Sequence, residues 1–480
     1  VNDTLAIPGL TDDEQRTVSR LYTQLKEKEL RNLLRSSYYD GKRAIRQLTP
    51  VVPPVYYSLG IVLGWTAKAV DALLRRCTLE TIEWPGGDLE SLGYTELVDN
   101  NHLRPTVKGG QVNSLLHGVS WIINTVGGEG EPKSLIHTKD ALSGTGTWNA
   151  RARRLEDFLS ITSLDDDGNP NGVALYLPGL VVECWKDGVW QVSRSAHVWG
   201  IPVEPMGFKP WTRDFGASRI SRPLMSLQDR ATSAVVRLEG HMDVYSFPEM
   251  WMLGADSTIF KNPDGTPKAD WRVMLGRIKG VPDDDEALPE LARADVKQFP
   301  AQSPAPHLAA LNAYAKLFAR ESGLPDSALA ITDYSNPTSA DAYAESREDL
   351  IAEAEGATDD WSLPIRRAVA RGLAIQNGMK SVPPEWATME TRWRSPLFQS
   401  RAEAADAGTK QIASVPWLAE TEVGLELIGM DGQQIRRALA DKRKAAGGSL
   451  LDKLRAQSVP TQQVNDGNGD GTSQPDRPAE

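Results

Sequence analysis

Cysteine is nearly absent from this 480-residue chain, with only Cys77 and Cys184 present. Two thiols build neither a disulfide framework nor a four-cysteine metal site. Count alone leaves one bridge open, and the preferred reading is two isolated thiols in a reducing compartment. Histidine is also scarce: His102, His117, His137, His197, His241 and His307 are scattered, and no pair has metal-ligand spacing. Each reads as an ordinary surface or core residue, so no metal and no cofactor are expected. No Gly-rich loop closes in Gly-Lys-Ser/Thr, which excludes a P-loop ATPase. His-Glu-x-x-His, Cys-x-x-Cys and Gly-x-Ser-x-Gly are missing too. The run "DGNGDG" at 466–471 begins like a calcium loop, but its twelfth position is Arg477, a cation where the site needs a carboxylate.

Long hydrophobic runs are lacking as well. The most apolar window, "VYYSLGIVLGWTAKAV", is interrupted by glycines and Lys68 and is too short to span a bilayer. The first residues, "VNDTLAIPGLTDDEQ", lack the basic-then-apolar order of a signal peptide. The expectation is a cytoplasmic protein, or part of a particle assembled there, with no membrane partner. Positive charge is in deficit. The net charge of −11 argues against broad adhesion to nucleic acid, while local basic patches can still touch it.

What is present describes a globular chain: 40% hydrophobic and 24% charged residues, enough length for two to four packed units. Thr11 and Glu14 form a capping-box pattern, followed by Val18, Leu21, Tyr22, Leu25 and Leu33 at helical spacing until Gly41. A second apolar helix is expected over 61–76. Between 160 and 195 the runs "VALYL", "LVVECW" and "VWQVS", separated by "DDDGNPNG" and "KDG", predict a small antiparallel sheet. The first 215 residues therefore read as a mixed α+β domain.

From 218 to 245, Ile220, Leu224, Leu227, Ala231, Val235, Leu238 and Met242 mark a long amphipathic helix. Its other face carries Arg222, Arg230 and Arg237 in a line. They make either a solvated, salt-bridged face or a stripe facing a neighbouring subunit or a polyanion. Residues 246–300 read as short strands and turns, with a hairpin turn in "NPDGTPKADWRVML" and an exposed acidic loop, "VPDDDEALPEL". A helix with Leu308, Leu311, Ala315 and Phe318 on one face then stops near "SGLP". More helix runs to about Gly378, with a break or kink expected at Pro364. The last third is helical in short pieces, Asp431 and Gln434 resemble a capping pair, and the final twenty residues have no apolar periodicity, so disorder is expected.

Between Pro325 and Asp360 the chain holds ten acids and one basic residue, Arg347. In "NPTSADAYAESREDLIAEAE", Thr338 or Ser339 can cap a helix on which Asp341, Glu345, Glu348 or Asp349, and Glu353 share one face. Same-sign neighbours at that spacing destabilise a helix by a few tenths of a kcal/mol each. Two explanations are open: a solvated face or acids paired with arginines from elsewhere in the fold, and a surface that must not adhere to a passing polyanion. Acidic pairs and fourteen tryptophans also leave open an acidic-cleft hydrolase.

Five stretches in order resemble the portal proteins of long-tailed bacteriophages, especially those of actinobacterial hosts. They are "YYDGKRAI"; "SRISRPLMSLQDRATSAVVRLEGHM"; "AKLFARESGLPDSALAI" followed by "NPTSADAYAESREDLI"; "WRSPLFQSRAEAADAGTKQ"; and "PWLAETEVGLELIGMDGQQIRRALADKRK". The resemblance spans about 20–455. It implies an α+β, mainly helical portal architecture assembled as a ring, typically of twelve subunits, at one capsid vertex of the virion after assembly in the host cytoplasm. Double-stranded DNA passes through the ring during packaging and ejection. The terminase large subunit supplies the work, so the portal itself is no enzyme. Major capsid, scaffolding and head-completion or adaptor proteins are the further partners. A capsid-associated structural protein that does not conduct DNA is the other non-enzymatic reading.

Laid over the chain, the resemblance makes 1–215 the wing, 216–245 and 304–324 the stem helices, and 246–303 the clip. It makes 325–339 the tunnel loop, 340–397 a helical segment returning through the wing, 398–457 the crown, and 458–480 a tail. Candidate channel residues are then Asp333, Tyr334, Asn336, Asp341 and Glu345. Arg222, Arg230 and Arg237 are stem or inter-subunit candidates, and Asp283, Asp284, Asp285 and Glu286 are docking candidates on the clip. Family members also use stem or tunnel-loop lysines near DNA, whereas "PDSALAITDYSNPTS" has no basic residue.

Overall fold

The computed structural model describes residues 5–43, 54–57, 60–246, 250–253, 262, 264–266, 295–298, 302–329, 347–397, 401–430 and 432–457. It divides into two compact units, 1–396 and 397–480.

The first helix, α1 (Asp12–Tyr39), begins where the capping box predicts. The Thr11 hydroxyl accepts from Glu14 N at 3.3 Å, and the Glu14 carboxylate accepts from Thr11 N at 2.8 Å. Glu14 also pairs with Arg194 at 2.7 Å, which ties the helix start to a strand 180 residues away. Val18, Leu21, Tyr22 and Leu25 are buried, but Leu33 is about half exposed, and near the end of the helix Asn32 and Tyr38 are the buried residues instead. After α2 (Pro54–Tyr57) comes α3 (Trp65–Leu74), shorter than the 61–76 expected.

β1 (Leu79–Glu83) is followed by α4 (Tyr94–Asn100) and α5 (Leu103–His117), neither of which the hydrophobic pattern marked. β2 (Val119–Val126) and β3 (Ser134–Asp140) come next. Then β4 (Gly144–Asn149), β5 (Arg154–Leu164), β6 (Pro170–Leu177), β7 (Leu180–Asp187) and β8 (Val189–Ala196) form an antiparallel meander. This confirms the antiparallel sheet, with two more strands on its amino-terminal side. β9 (Val203–Gly207) joins β2 and β3 in a three-stranded sheet of order β3-β2-β9.

Strand alternation sets the layers. Leu159, Ile161, Val173 and Leu175 point to α1 and meet Val18, Leu21 and Leu25. Phe158, Ala174 and Tyr176 point the other way, against Val119, Trp121 and Ile123 of β2. The even positions of β2 face a third layer of helices: Ile122 joins the largest core, and Asn124 donates to the Ala368 carbonyl at 2.9 Å.

The amphipathic helix α6 (Arg222–Ser246) has Leu224, Ala231, Ala234 and Val236 buried, while Val235 and Leu238 are only half-buried. The core side therefore keeps Ile220, Leu224 and Ala231 of the predicted stripe and departs from it beyond Ala231, and it includes Gln228, whose side-chain oxygen accepts from Thr66 N at 2.8 Å. β10 (Met250–Leu253) and β11 (Asp295–Gln298) pair antiparallel, and Asn262 N donates to Thr266 O in the expected hairpin turn. α7 (Ala305–Ser322) ends at Gly323 in the left-handed conformation.

α8 (Glu348–Gln376) runs unbroken through Pro364, where a break or kink was expected. Proline removes one main-chain hydrogen bond, but Trp361, Ile365, Ala368 and Val369 are buried on both sides of it, and that packing holds the helix together. β12 (Glu390–Trp393) then pairs with β1, Leu79 opposite Trp393.

The second unit comprises α9 (Arg401–Ser414), a 3₁₀ turn at Pro416–Glu420, α10 (Glu422–Leu427) and α11 (Gly432–Gln457). Thr421 caps α10, its hydroxyl accepting from Gly424 N at 3.1 Å. Short helical pieces were expected here. The proposed cap Asp431 and the residues from 458 lie outside the described residues.

Candidate functional site at the root of the helical hairpin

α6 and α7 form an antiparallel hairpin. Near its tip the ring centroids of His241 and His307 lie 5.0 Å apart, and the Tyr245 ring lies against His241 at 4.5 Å, tilted by 39°. Sequence separation had hidden this histidine pair. Among the described residues no third side chain completes a metal-binding cluster around it.

At the opposite end the hairpin is tied to the body by one buried cation. Arg219, just before α6, uses each of its three guanidinium nitrogens on a different element. Nε donates to the Ala69 carbonyl on α3 at 2.9 Å and Nη2 to the Ser322 carbonyl closing α7 at 2.8 Å. Nη1 donates to the Glu353 carboxylate on α8. The second oxygen of Glu353 accepts from Lys209 Nζ at 2.8 Å. Lys209 itself stands in the left-handed region, φ 52°, and its main-chain N donates to Asp360 at 3.2 Å.

Burial and charge act against each other here. Burial works to raise the Glu353 pKa, but Arg219 and Lys209 outweigh it and hold the carboxyl below its ordinary value. Among the described residues Asp360 has the Lys209 main-chain N as its donor, and burial pushes it up to about 6. A cavity of about 500 Å³ opens beside this knot, lined by Lys209, Trp211, Glu321, Gly323, Asp349 and Glu353.

The knot frames the acid-rich segment. On the outgoing side the Lys68 ammonium donates to the Ala328 carbonyl. On the returning side α8 starts at Glu348, with Leu350 buried and Glu353 clamped. Glu353 therefore does not continue an outward acidic face with Asp341 and Glu345. It is one of the acids paired inside the fold, through residues 134 and 144 positions away.

Among the other predicted residues, Arg222, Arg230 and Arg237 are all exposed on α6, and none has an ion-pair partner among the described residues. Their neighbour Asp229 faces inward, accepting from the Tyr38 hydroxyl at 2.7 Å. Asp333, Tyr334, Asn336, Asp341 and Glu345 lie outside the described residues, as do Asp283, Asp284, Asp285 and Glu286. Cys77 and Cys184 are both free and buried; burial pushes the Cys77 thiol up to about 12.

Residues 20–447 match the family described as phage portal protein, SPP1 Gp6-like. The portal protein of Mycobacterium phage L5 is 24% identical over 420 residues, covering 85% of this chain and 84% of the relative. That of Mycobacterium phage D29 is 25% identical over 389 residues, covering 78% and 77%. Among solved structures, the neck of an empty gene transfer agent particle matches with a TM-score of 0.40 and 14% identity, covering 77% of this chain and 90% of that one. The family match takes in both the layered α+β body and the helical hairpin, and the chain belongs to the phage portal protein family.

Proposed function

We propose that this portal subunit assembles with copies of itself into a ring whose central passage carries double-stranded DNA, and that it works as a non-enzymatic conduit and docking platform at the capsid neck. The observation that carries this reading is the family match over 20–447, which spans the α6–α7 hairpin and the knot at its root. In this arrangement the hairpin is the stem, and the acid-rich segment after Ala328 projects towards the passage. A terminase motor docks on the acidic clip residues Asp283, Asp284, Asp285 and Glu286, and head-completion or adaptor proteins follow it there. Capsid and scaffolding proteins meet the outer wing and crown. Asp341 and Glu345 keep the passage from adhering to the phosphate backbone, since like charges across a water-filled gap repel within a Debye length.

The test is negative-stain electron microscopy with native mass measurement on the purified chain. Rings with an open centre and a mass near a dozen subunits support the reading. A compact monomer at high concentration, together with full DNA packaging in a phage lacking this protein, overturns it. In rings, Asp341→Lys with Glu345→Lys should reduce packaged DNA without reducing the number of assembled particles.

A further inference from the structure

An acidic chain has gathered four cations around one cavity, apart from the hairpin and its knot. The cavity, about 460 Å³, lies between α1 and the loop 213–218. Lys28, Arg31 and Arg35 come from α1 at i, i+3 and i+7, one stripe of the helix, and Arg213 comes from the loop opposite. Asp214 is the one acid in the lining. None of the four cations has an ion-pair partner among the described residues. Like charges at this spacing destabilise a helix, and Lys28 and Arg35 are in addition half-buried, which adds to the cost. Burial lowers the Arg35 pKa to about 10, with Arg31 and Arg213 pushing the same way, and Lys28 is lowered by burial and then by Arg31.

A second observation points into the same place. Arg35 Nη1 donates to the His117 carbonyl at 3.2 Å, yet its Nε is buried without a partner among the described residues. His117, 7% exposed, is held through Nε2 by the Ser36 hydroxyl at 2.9 Å, and its Nδ1 is equally unpartnered. The site thus combines surplus positive charge with orphaned polar nitrogens.

We propose that this cavity binds a phosphate-bearing anion, either a free diphosphate or a phosphate of a nucleic-acid backbone. The cations approach from two sides, three from the helix and one from the loop. A planar carboxylate offers two oxygens in one plane, whereas a phosphate offers a tetrahedral set that can meet guanidinium groups from both sides. The volume lies within the range of small-ligand sites.

The test titrates pyrophosphate into the full-length protein at constant ionic strength, against chloride, with heat of binding and thermal midpoint as readouts. Arg31→Gln and Arg213→Gln are the variants, because both side chains are exposed, and the control is Lys380→Gln, an exposed residue outside the lining. The wild type and the control should bind, and each arginine variant should bind about tenfold more weakly. Without the anion, both arginine variants should melt at the same or a higher temperature than the wild type, since like-charge repulsion is relieved. A short DNA duplex that displaces pyrophosphate identifies the backbone as the source, and failure to displace identifies the free anion. An equal response of wild type and variants overturns the proposal. So does a null pyrophosphate response with assembly altered by both variants, which would assign the cations to carboxylates of a neighbouring copy.

Discussion

Arg219 and Glu353 meet across 134 residues of chain and join the start of α6 to the first turns of α8, with Arg219 almost fully buried. The pair is not an isolated bridge, because the other two nitrogens of the fork each donate to a main-chain carbonyl and the second carboxylate oxygen accepts from Lys209. Removing one partner of such a pair costs more than the pair contributes, since it leaves a desolvated charge behind.

Arg219→Met should therefore destabilise the folded chain by about 3–5 kcal/mol in urea denaturation. Two main-chain carbonyls also lose their donors. The double variant Arg219→Met with Glu353→Gln should be less destabilised than the single one, because the uncompensated carboxylate is gone. A loss under about 1 kcal/mol for Arg219→Met, as for a surface bridge, would show that the knot does not hold the hairpin.

Two carboxyls should shape the acid side of the stability curve with opposite signs. The Arg194 hydrogen bond is the largest influence on Glu14 and, with the capping contacts, lowers it from 4.5 to about 2. The folded state then binds fewer protons than the unfolded one, so this stabilisation is present above pH 4.5 and lost as pH falls towards 2. Asp360 is raised from 3.8 to about 6, so the folded state binds more protons, and stability declines as pH rises from about 4 through 6. Denaturation across pH 2–7 should show Glu14→Gln flattening the lower limb and Asp360→Asn flattening the decline between 4 and 6.

How far these sites could be read from the sequence depended on whether the signal was local. The capping box at Thr11 and Glu14 and the alternating runs of β6 and β7 are near-neighbour patterns, and the elements stand where those patterns put them. α5 carries Pro105, Gly109 and Gly110, which lower helix propensity and mask its period. Gly110 is there for packing: a Cβ would come within 3.1 to 3.3 Å of Thr138, Met206 and Ser120 on the sheet beneath. By spacing Glu353 shares a helical face with Asp341 and Glu345, and the choice between a solvated and a paired acid stays open in the sequence because its partners, Arg219 and Lys209, are far away along the chain. The basic stripe of α1 was hidden by the same kind of distance, since its meaning depends on Arg213.

The loop that carries Arg213 closes on Gly216. Its φ is 97°, and a Cβ there would lie 2.4 Å from the Phe208 carbonyl oxygen and 2.6 Å from that of Gly118. Gly216→Ala should cost several times the roughly 1 kcal/mol of an ordinary left-handed alanine, because backbone atoms cannot move aside as a side chain would. Gly188 also has a positive φ, 69°, but meets nothing within 4 Å, so Gly188→Asn should be close to neutral. Thermal midpoints of the two variants compare strain with clash.

The exposed line of Arg222, Arg230 and Arg237 separates a solvated face from an assembly surface. In a single subunit these side chains are exposed and have no ion-pair partner among the described residues, so reversing their charge should change stability by no more than about 0.5 kcal/mol each. In a ring each hairpin has a neighbour on either side, and a cation placed against the neighbour's acids speeds and registers docking. The triple variant Arg222→Glu, Arg230→Glu, Arg237→Glu should keep the wild-type thermal midpoint and circular dichroism while losing ring-sized species in native mass spectra. High salt should weaken wild-type assembly in the same direction, because screened charges lose their reach. If the variant assembles as the wild type does at every salt concentration, the stripe is a solvated face, and the subunit contacts must come from apolar surface such as the exposed Leu30 and Leu33 of α1.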